Sequence, residues 1–238
     1  MSKYSRSISV AMPAYNEEPN IGAMIDYVVR TMEPRFEDFE VVVVDDGSRD
    51  RTGEVVREIA ERDPRVKLVV HPRNLGYGAA AFSAMSNATK ELVLFTDSDL
   101  QFYLEDIDLL MPWVESNDVV VGYRAPRRDP FLRVLYGKGW SFLITLFFGY
   151  AARDVDCAFK LFHREVLEDV LPKVVARGAT FSGELLVRIK RAGYSIKEVP
   201  VRHRERPAGA PTGARIGVIT RAFRELFLLR WKFWFGKK

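Results

Sequence analysis

Two carboxylates spaced i, i+2 stand in Thr96-Asp97-Ser98-Asp99-Leu100-Gln101, directly after the apolar run Leu92 to Phe95. At the end of a buried strand both can turn toward one hard cation. Oxygen donors of this kind suit Mg²⁺ or Mn²⁺, and such an ion in turn holds a diphosphate. Alone, Asp97 and Asp99 serve equally well as caps for a helix starting near Leu104. A second acidic pair, Asp45-Asp46, closes the β-branched run Val41 to Val44, and that neighbour favours the cation.

Other chemistries find few residues. No GxGxxG follows the first apolar run and no GxxxxGK[ST] occurs, which removes support for a dinucleotide oxidoreductase and a P-loop NTPase. His71, His163 and His203 are scattered, a poor basis for zinc. Ser182-Gly183 lacks the G-x-S-x-G frame of a nucleophile elbow. The single cysteine, Cys157 beside Phe159, reads as a packed small side chain; one cysteine excludes a disulfide framework and suits a reducing compartment.

The elements that must position these groups alternate. Ile8 to Met12, Val41 to Val44, Val66 to Val70, Leu92 to Phe95 and Val119 to Val121 read as strands. Between them, helices are expected with Asn20 as an N-cap, then around Val55 to Ile59, over Gly78 to Ala88 and over Ile107 to Val114. This pace predicts an α/β domain with a Rossmann-like, mostly parallel sheet and helices on both faces. Ligands of open parallel sheets bind beyond the carboxyl ends of the strands. That gathers four loops: Pro13 to Glu18, Asp45 to Asp50, Asn74 to Gly78, and Asp97 to Gln101.

The later part is less regular. A basic loop over residues 123–135 precedes a long apolar segment, a short strand at Phe159 to Phe162, a helix at Gly183 to Ala192 and a strand at Tyr194 to Val201. Charge divides the same way, with −10 over residues 1–120 and +14 over residues 121–238. Such asymmetry suits metal or nucleotide handling first and an anionic partner second. The length of 238 residues and 47% hydrophobic composition suffice for one large core and exclude a disordered chain.

Four motifs now stand in order: Val10-Ala-Met-Pro-Ala-Tyr-Asn-Glu17, Val43-Val-Asp-Asp-Gly-Ser48, Asn74-Leu-Gly-Tyr-Gly78 and Asp97-Ser-Asp-Leu-Gln101. Together they resemble the family 2 glycosyltransferases. Val121-Gly-Tyr-Arg124, Asp154-Val-Asp-Cys-Ala-Phe-Lys-Leu-Phe162 and Arg191 to Pro200 are similar to its dolichyl- and polyprenyl-phosphate sugar synthase branch. The resemblance implies a glycosyltransferase A fold, an NDP-sugar donor such as GDP-mannose or a UDP-hexose, and inversion at the anomeric carbon. By position, Pro13, Tyr15, Glu17 and Asp46 would hold the nucleoside, with Asp45 close by. Asp97, Ser98, Asp99 and Gln101 would hold the diphosphate, and Asp97, Asp99 and Gln101 the divalent metal. Arg206 falls on the donor diphosphate, and Arg124 and Arg133, with Lys138 nearby, on the acceptor phosphate. Gly137, Ala158 and Thr212 replace the Ser, Gly and Lys usual in that branch.

A phosphate acceptor is already anionic and needs no general base, whereas a hydroxyl of a sugar, glycerol or lipid does. For that alternative, Glu184 and Asp156 are the candidate bases. Residues 1–215 are expected to form the catalytic domain, with a nucleotide-sugar half at 1–122 and an acceptor half at 123–215. Residues 216–238 are expected as an amphipathic C-terminal helix: over 221–238 six Lys+Arg face one Glu among Phe and Trp. That composition describes a helix lying on an anionic membrane surface. The segment Phe131 to Gly149 is a second candidate lipid-facing surface. No recognition motif supports nucleic acid. The longest uncharged runs, Asn74 to Thr89 at 16 residues and Gly139 to Ala152 at 14, are too short to span a bilayer, and the first residues hold no signal-peptide core. The expected location is cytoplasmic, peripheral on the inner face of the cell membrane.

Overall fold

In the computed structural model of the chain, residues 3–125, 139 and 142–208 are described. Seven strands, β1 (Ile8–Ala14), β2 (Phe39–Asp45), β3 (Val66–Val70), β4 (Leu92–Phe95), β5 (Val119–Arg124), β6 (Lys160–His163) and β7 (Ile196–Val201), form one sheet. Their order is β3-β2-β1-β4-β6-β5-β7. All pairings are parallel except those of β6, which runs antiparallel to both β4 and β5. The helices are α1 (Glu18–Met32), α2 (Thr52–Ala60), α3 (Tyr77–Ser86), α4 (Ile107–Leu110), α5 (residues 142–148), α6 (Arg164–Val170) and α7 (Phe181–Arg191).

Central β1, β2 and β4 are buried along their whole length, as continuous apolar runs in a sheet covered on both faces require. Several details depart from the expected elements. α1 begins at Glu18, with Glu17 in the N-cap position and Pro19 in the first turn, so Asn20 lies inside the helix. The expected helix over Ile107 to Val114 is a four-residue α4 flanked by 3-10 turns at Leu104–Asp106 and Met111–Trp113. Pro112 lacks an N–H and crowds the preceding turn, which tightens the chain there. β5 continues to Arg124, pairing with β7 up to Arg124↔Val201, so Arg124 belongs to the sheet and not to the basic loop. The strand expected from Tyr194 begins at Ile196, and α6 has no counterpart among the expected elements. Arg133, Lys138, most of the loop 123–135 and the helix expected over 216–238 lie outside the described residues.

Candidate active site

The carboxyl ends of β1, β2 and β4 point the same way because these strands are parallel neighbours. Their loops are stitched together by hydrogen bonds. Ser98 Oγ donates to the Pro13 carbonyl at 2.8 Å, joining the β4 loop to the β1 loop. The Asn16 N–H reaches Ser48 Oγ at 3.0 Å and the Arg49 N–H reaches Asn16 Oδ1 at 2.8 Å, joining β1 to β2. Asn16 and Leu100, in the β1 and β4 loops, hold positive φ of 53° and 61°, the only such non-glycine residues among those described. Strain of this kind persists where surrounding contacts over-determine the backbone. Gly47, at φ +66, permits a turn in which a Cβ would sit 2.4 Å from the Arg73 carbonyl carbon.

Asp46 is the hub of the β2 loop. Its Oδ1 meets His71 Nδ1 at 2.7 Å and accepts the Leu75 N–H at 2.9 Å, while Oδ2 accepts the Gly76 N–H at 2.9 Å. His71 Nε2 in turn lies 2.9 Å from Ser83 Oγ on α3. A buried carboxylate with three partners is a brace, and Asp46 braces the Asn74 to Gly78 loop. Asp45 accepts the Ser48 N–H at 3.0 Å, a local turn contact. Pro13 is buried and Tyr15 half-buried in the β1 loop.

Asp97 accepts from Tyr77 Oη at 3.0 Å, so the β3–α3 loop also reaches β4. Its carboxyl is pushed up to about 7 by withdrawal from solvent and then by the charge of Asp99, against the opposing pull of Tyr77, Lys160 and Arg124. Two carboxylates that resist joint ionisation are a favourable cradle for a divalent cation. Asp99 Oδ1 accepts the Gln101 N–H at 3.2 Å, and Gln101 Nε2 donates to the Arg204 carbonyl at 3.1 Å. Gln101 thereby ties the β4 loop to the chain beyond β7. Two hard carboxylates at one strand end match the way Mg²⁺ is held, through one or two protein oxygens plus substrate.

Arg206 completes this end of the site. Its guanidinium donates to Glu17 Oε1 at 2.5 Å and lies 3.5 Å from Asp99 Oδ2. Arg206 and Asp99, far apart in sequence, are therefore brought together.

The remaining candidates are placed differently. Arg124 makes a two-pronged ion pair with Asp154, Nε to Oδ2 at 2.7 Å and Nη2 to Oδ1 at 2.8 Å, with both side chains largely buried. Glu184 has no exposed surface. Its Oε2 accepts the N–H groups of Val175 and Ala176 at 3.0 and 2.6 Å, and Oε1 accepts Arg188 Nε at 2.6 Å. Enclosure and three donors make it a strut for the turn before α7, a geometry that denies it contact with a substrate. Asp156 is exposed, and its charge acts on Tyr77 and Lys160 beside Asp97. Cys157 is buried and its thiol is pushed up to about 12, mainly by that burial, which leaves it inert. His71, Tyr77 and Lys160 were not among the expected site residues. The signal for Lys160 was a lone cation inside the apolar run Cys157 to Phe162.

The family model described as Glycosyl transferase family 2 matches residues 9–171 and so includes the loops after β1, β2, β3 and β4. The chain belongs to glycosyltransferase family 2. Within this family it is 33% identical over 212 residues to a dolichyl-phosphate beta-glucosyltransferase of Trichomonas vaginalis, covering 82% of this chain and 63% of that protein. It is 32% identical over 202 residues to the glycosyltransferase AglD of Haloferax volcanii, covering 82% of this chain and 32% of that one. The chain thus spans less than two thirds of these relatives. Among solved structures, the mannosyltransferase PcManGT of Pyrobaculum calidifontis, in complex with GDP-Man and Mn²⁺, aligns with a TM-score of 0.67 at 25% identity, over 95% of this chain and 64% of that one. Glucosyl-3-phosphoglycerate synthase of Mycobacterium tuberculosis, with Mn²⁺ and UDP, aligns at 0.69 and 22% identity, over 94% of this chain and 80% of that one. The fold is the glycosyltransferase A fold.

Proposed function

We propose that the chain transfers a hexose from an NDP-sugar to a polyprenyl or dolichyl phosphate, with a divalent metal and with inversion. The observation that carries this reading is the convergence of Asp97, Asp99 and Arg206 at the carboxyl end of β4. In the reaction an acceptor phosphate oxygen forms the new bond to the anomeric carbon while the bond to the diphosphate breaks, and the NDP leaves with that electron pair. Negative charge grows on the departing diphosphate, where Arg206 stands to stabilise it. Asp97 and Asp99, with Gln101 behind them, would hold Mg²⁺ or Mn²⁺, which supplies Lewis-acid stabilisation of the same leaving group. Glu17, Pro13, Tyr15, Asp45 and Asp46 form the wall for the nucleoside, the last two through the loops that they brace.

The acceptor class rests on the relatives named for dolichyl-phosphate glucosylation and on Arg124, Arg133 and Lys138. Arg124 meets that role by exchanging Asp154 for a phosphate with the same two-pronged geometry. An isoprenoid acceptor places the site at a membrane, in our reading the inner face; no described helix is long and apolar enough to cross one. A hydroxyl acceptor is the second reading, favoured by the exposed Asp156, the better placed of the two candidate bases.

The test is transfer from labelled UDP-glucose, UDP-galactose or GDP-mannose to a short polyprenyl phosphate, with Mn²⁺ and with EDTA. Metal-dependent formation of a lipid-phosphate-linked sugar supports the reading. Transfer only to glycerol or free sugar hydroxyls replaces it with the second.

A further inference from the structure

Lys160 is one of the largest fully buried side chains, 1% exposed, and it ends in an amine. It sits on β6, paired across the ladders with Phe95 of β4 and Val121 of β5. Phe95 is two residues before Asp97, so the lysine lies in the sheet just beneath the paired carboxylates. Its ammonium donates to the Cys157 carbonyl. Burial pulls its pKa down, and Cys157, Asp156, Asp154 and Asp97 push it back up. Lys160 in turn opposes the rise at Asp97. An ammonium in the interior is costly to keep and a methionine would fill the same space, so packing alone does not account for it.

We propose that Lys160 is a positioning residue of the donor site: a fixed positive charge behind Asp97 that makes the site favour a metal–diphosphate pair over a bare metal ion. The inference rests on the donor-site reading given above. A divalent ion alone is repelled by the ammonium. The same ion carried with a nucleoside diphosphate is a net anion, and the ammonium attracts it. Lys160 thereby offsets part of the mutual repulsion of the carboxylates without occupying a ligand position.

The sign of the effect separates this role from simple structural support. In Lys160→Met, Mn²⁺ alone, followed by electron paramagnetic resonance of the free ion, should bind at least roughly tenfold tighter, the effect of unit charges about 12 Å apart at an effective dielectric near 20. UDP or GDP, whichever binds wild type, titrated calorimetrically at saturating Mn²⁺ should bind at least roughly tenfold weaker. Lys160→Arg should restore both. Lys160→Gln, which keeps a donor and removes the charge, should behave as the methionine variant and covers the case in which the latter does not fold. Unchanged affinities in folded Met or Gln variants, or a fall in both, overturn the inference. Wild-type protein that binds neither Mn²⁺ nor nucleotide overturns the donor-site reading and this inference with it.

Discussion

Arg206 and Glu17 meet at 2.5 Å, Nη2 on Oε1, while the same guanidinium keeps its Nη1 3.5 Å from Asp99 Oδ2. One side chain from the segment after β7 thus links the β1 loop to the β4 loop. Glu17 Oε2 also accepts Asn20 Nδ2 at 2.9 Å, so the carboxylate that orients the guanidinium is itself held in place. Arg206→Ala should therefore weaken nucleotide binding in the presence of Mn²⁺ by about 1.5 to 3 kcal/mol, the worth of a charged hydrogen bond. Isothermal titration checks this, and an unchanged affinity would remove Arg206 from the donor site.

Asp97→Asn and Asp99→Asn each leave one ionised carboxylate for the metal. Transfer should fall by about 10² to 10³, the usual effect of losing one electrostatic stabiliser of the leaving group. The stabilisation of the protein by nucleotide and Mn²⁺ in thermal unfolding should vanish in both. Retained metal-dependent shifts in the double variant would place the metal elsewhere.

The raised carboxyl of Asp97, about 7 in the folded chain against 3.8 for the free group, carries a pH signature. Between those values the folded state holds a proton that the unfolded state has lost, so ionising Asp97 costs folding stability as pH rises to 7 and the cost is complete above it. Asp97→Asn should raise the melting temperature of the metal-free protein at pH 8 and change it little near pH 4. Saturating Mn²⁺ should erase the advantage at pH 8. A stabilisation equal at both pH values would mean that the effect is not the charge.

Asp46 holds the backbone N–H groups of Leu75 and Gly76 and the ring of His71. Asp46→Ala leaves these donors and the buried His71 ring without their acceptor and should destabilise the chain by about 1 to 3 kcal/mol in urea unfolding. Nucleotide binding should fall as well, since the loop that it braces carries Tyr77 against Asp97. A variant of wild-type stability would show the hub to be redundant.

Glu184 and Asp156 divide the two acceptor readings. Glu184→Gln keeps an oxygen for the Val175 and Ala176 N–H groups, so the folded enzyme should turn over a polyprenyl phosphate at a rate within about threefold of wild type, no base being required. Asp156→Asn should do the same. Loss of transfer in the Asp156 variant, with donor binding intact, would favour a hydroxyl acceptor.

Much of this site was legible in the linear order of residues. Strand runs such as Val41 to Val44 and Leu92 to Phe95 are continuous and apolar, and a parallel sheet gathers the loops after such strands along one edge. The carboxylates Asp45, Asp46, Asp97 and Asp99 were located that way, because chain direction alone fixes which end of a strand they occupy. The order of residues does not carry which partner each charge meets. Asp46 turned inward to three donors, Glu184 on α7 tied down the turn before that helix, and Arg124 entered β5 and paired with Asp154, since each met a polar group supplied by another segment. Lys160 and Tyr77 gained their place beside Asp97 only when β6 inserted antiparallel between β4 and β5 and α3 docked on the sheet. Local sequence set the backbone periodicity and the end of the sheet where chemistry happens. The tertiary structure decided which ionised groups face one another, because electrostatic partnership depends on distance through space and on the water that packing excludes.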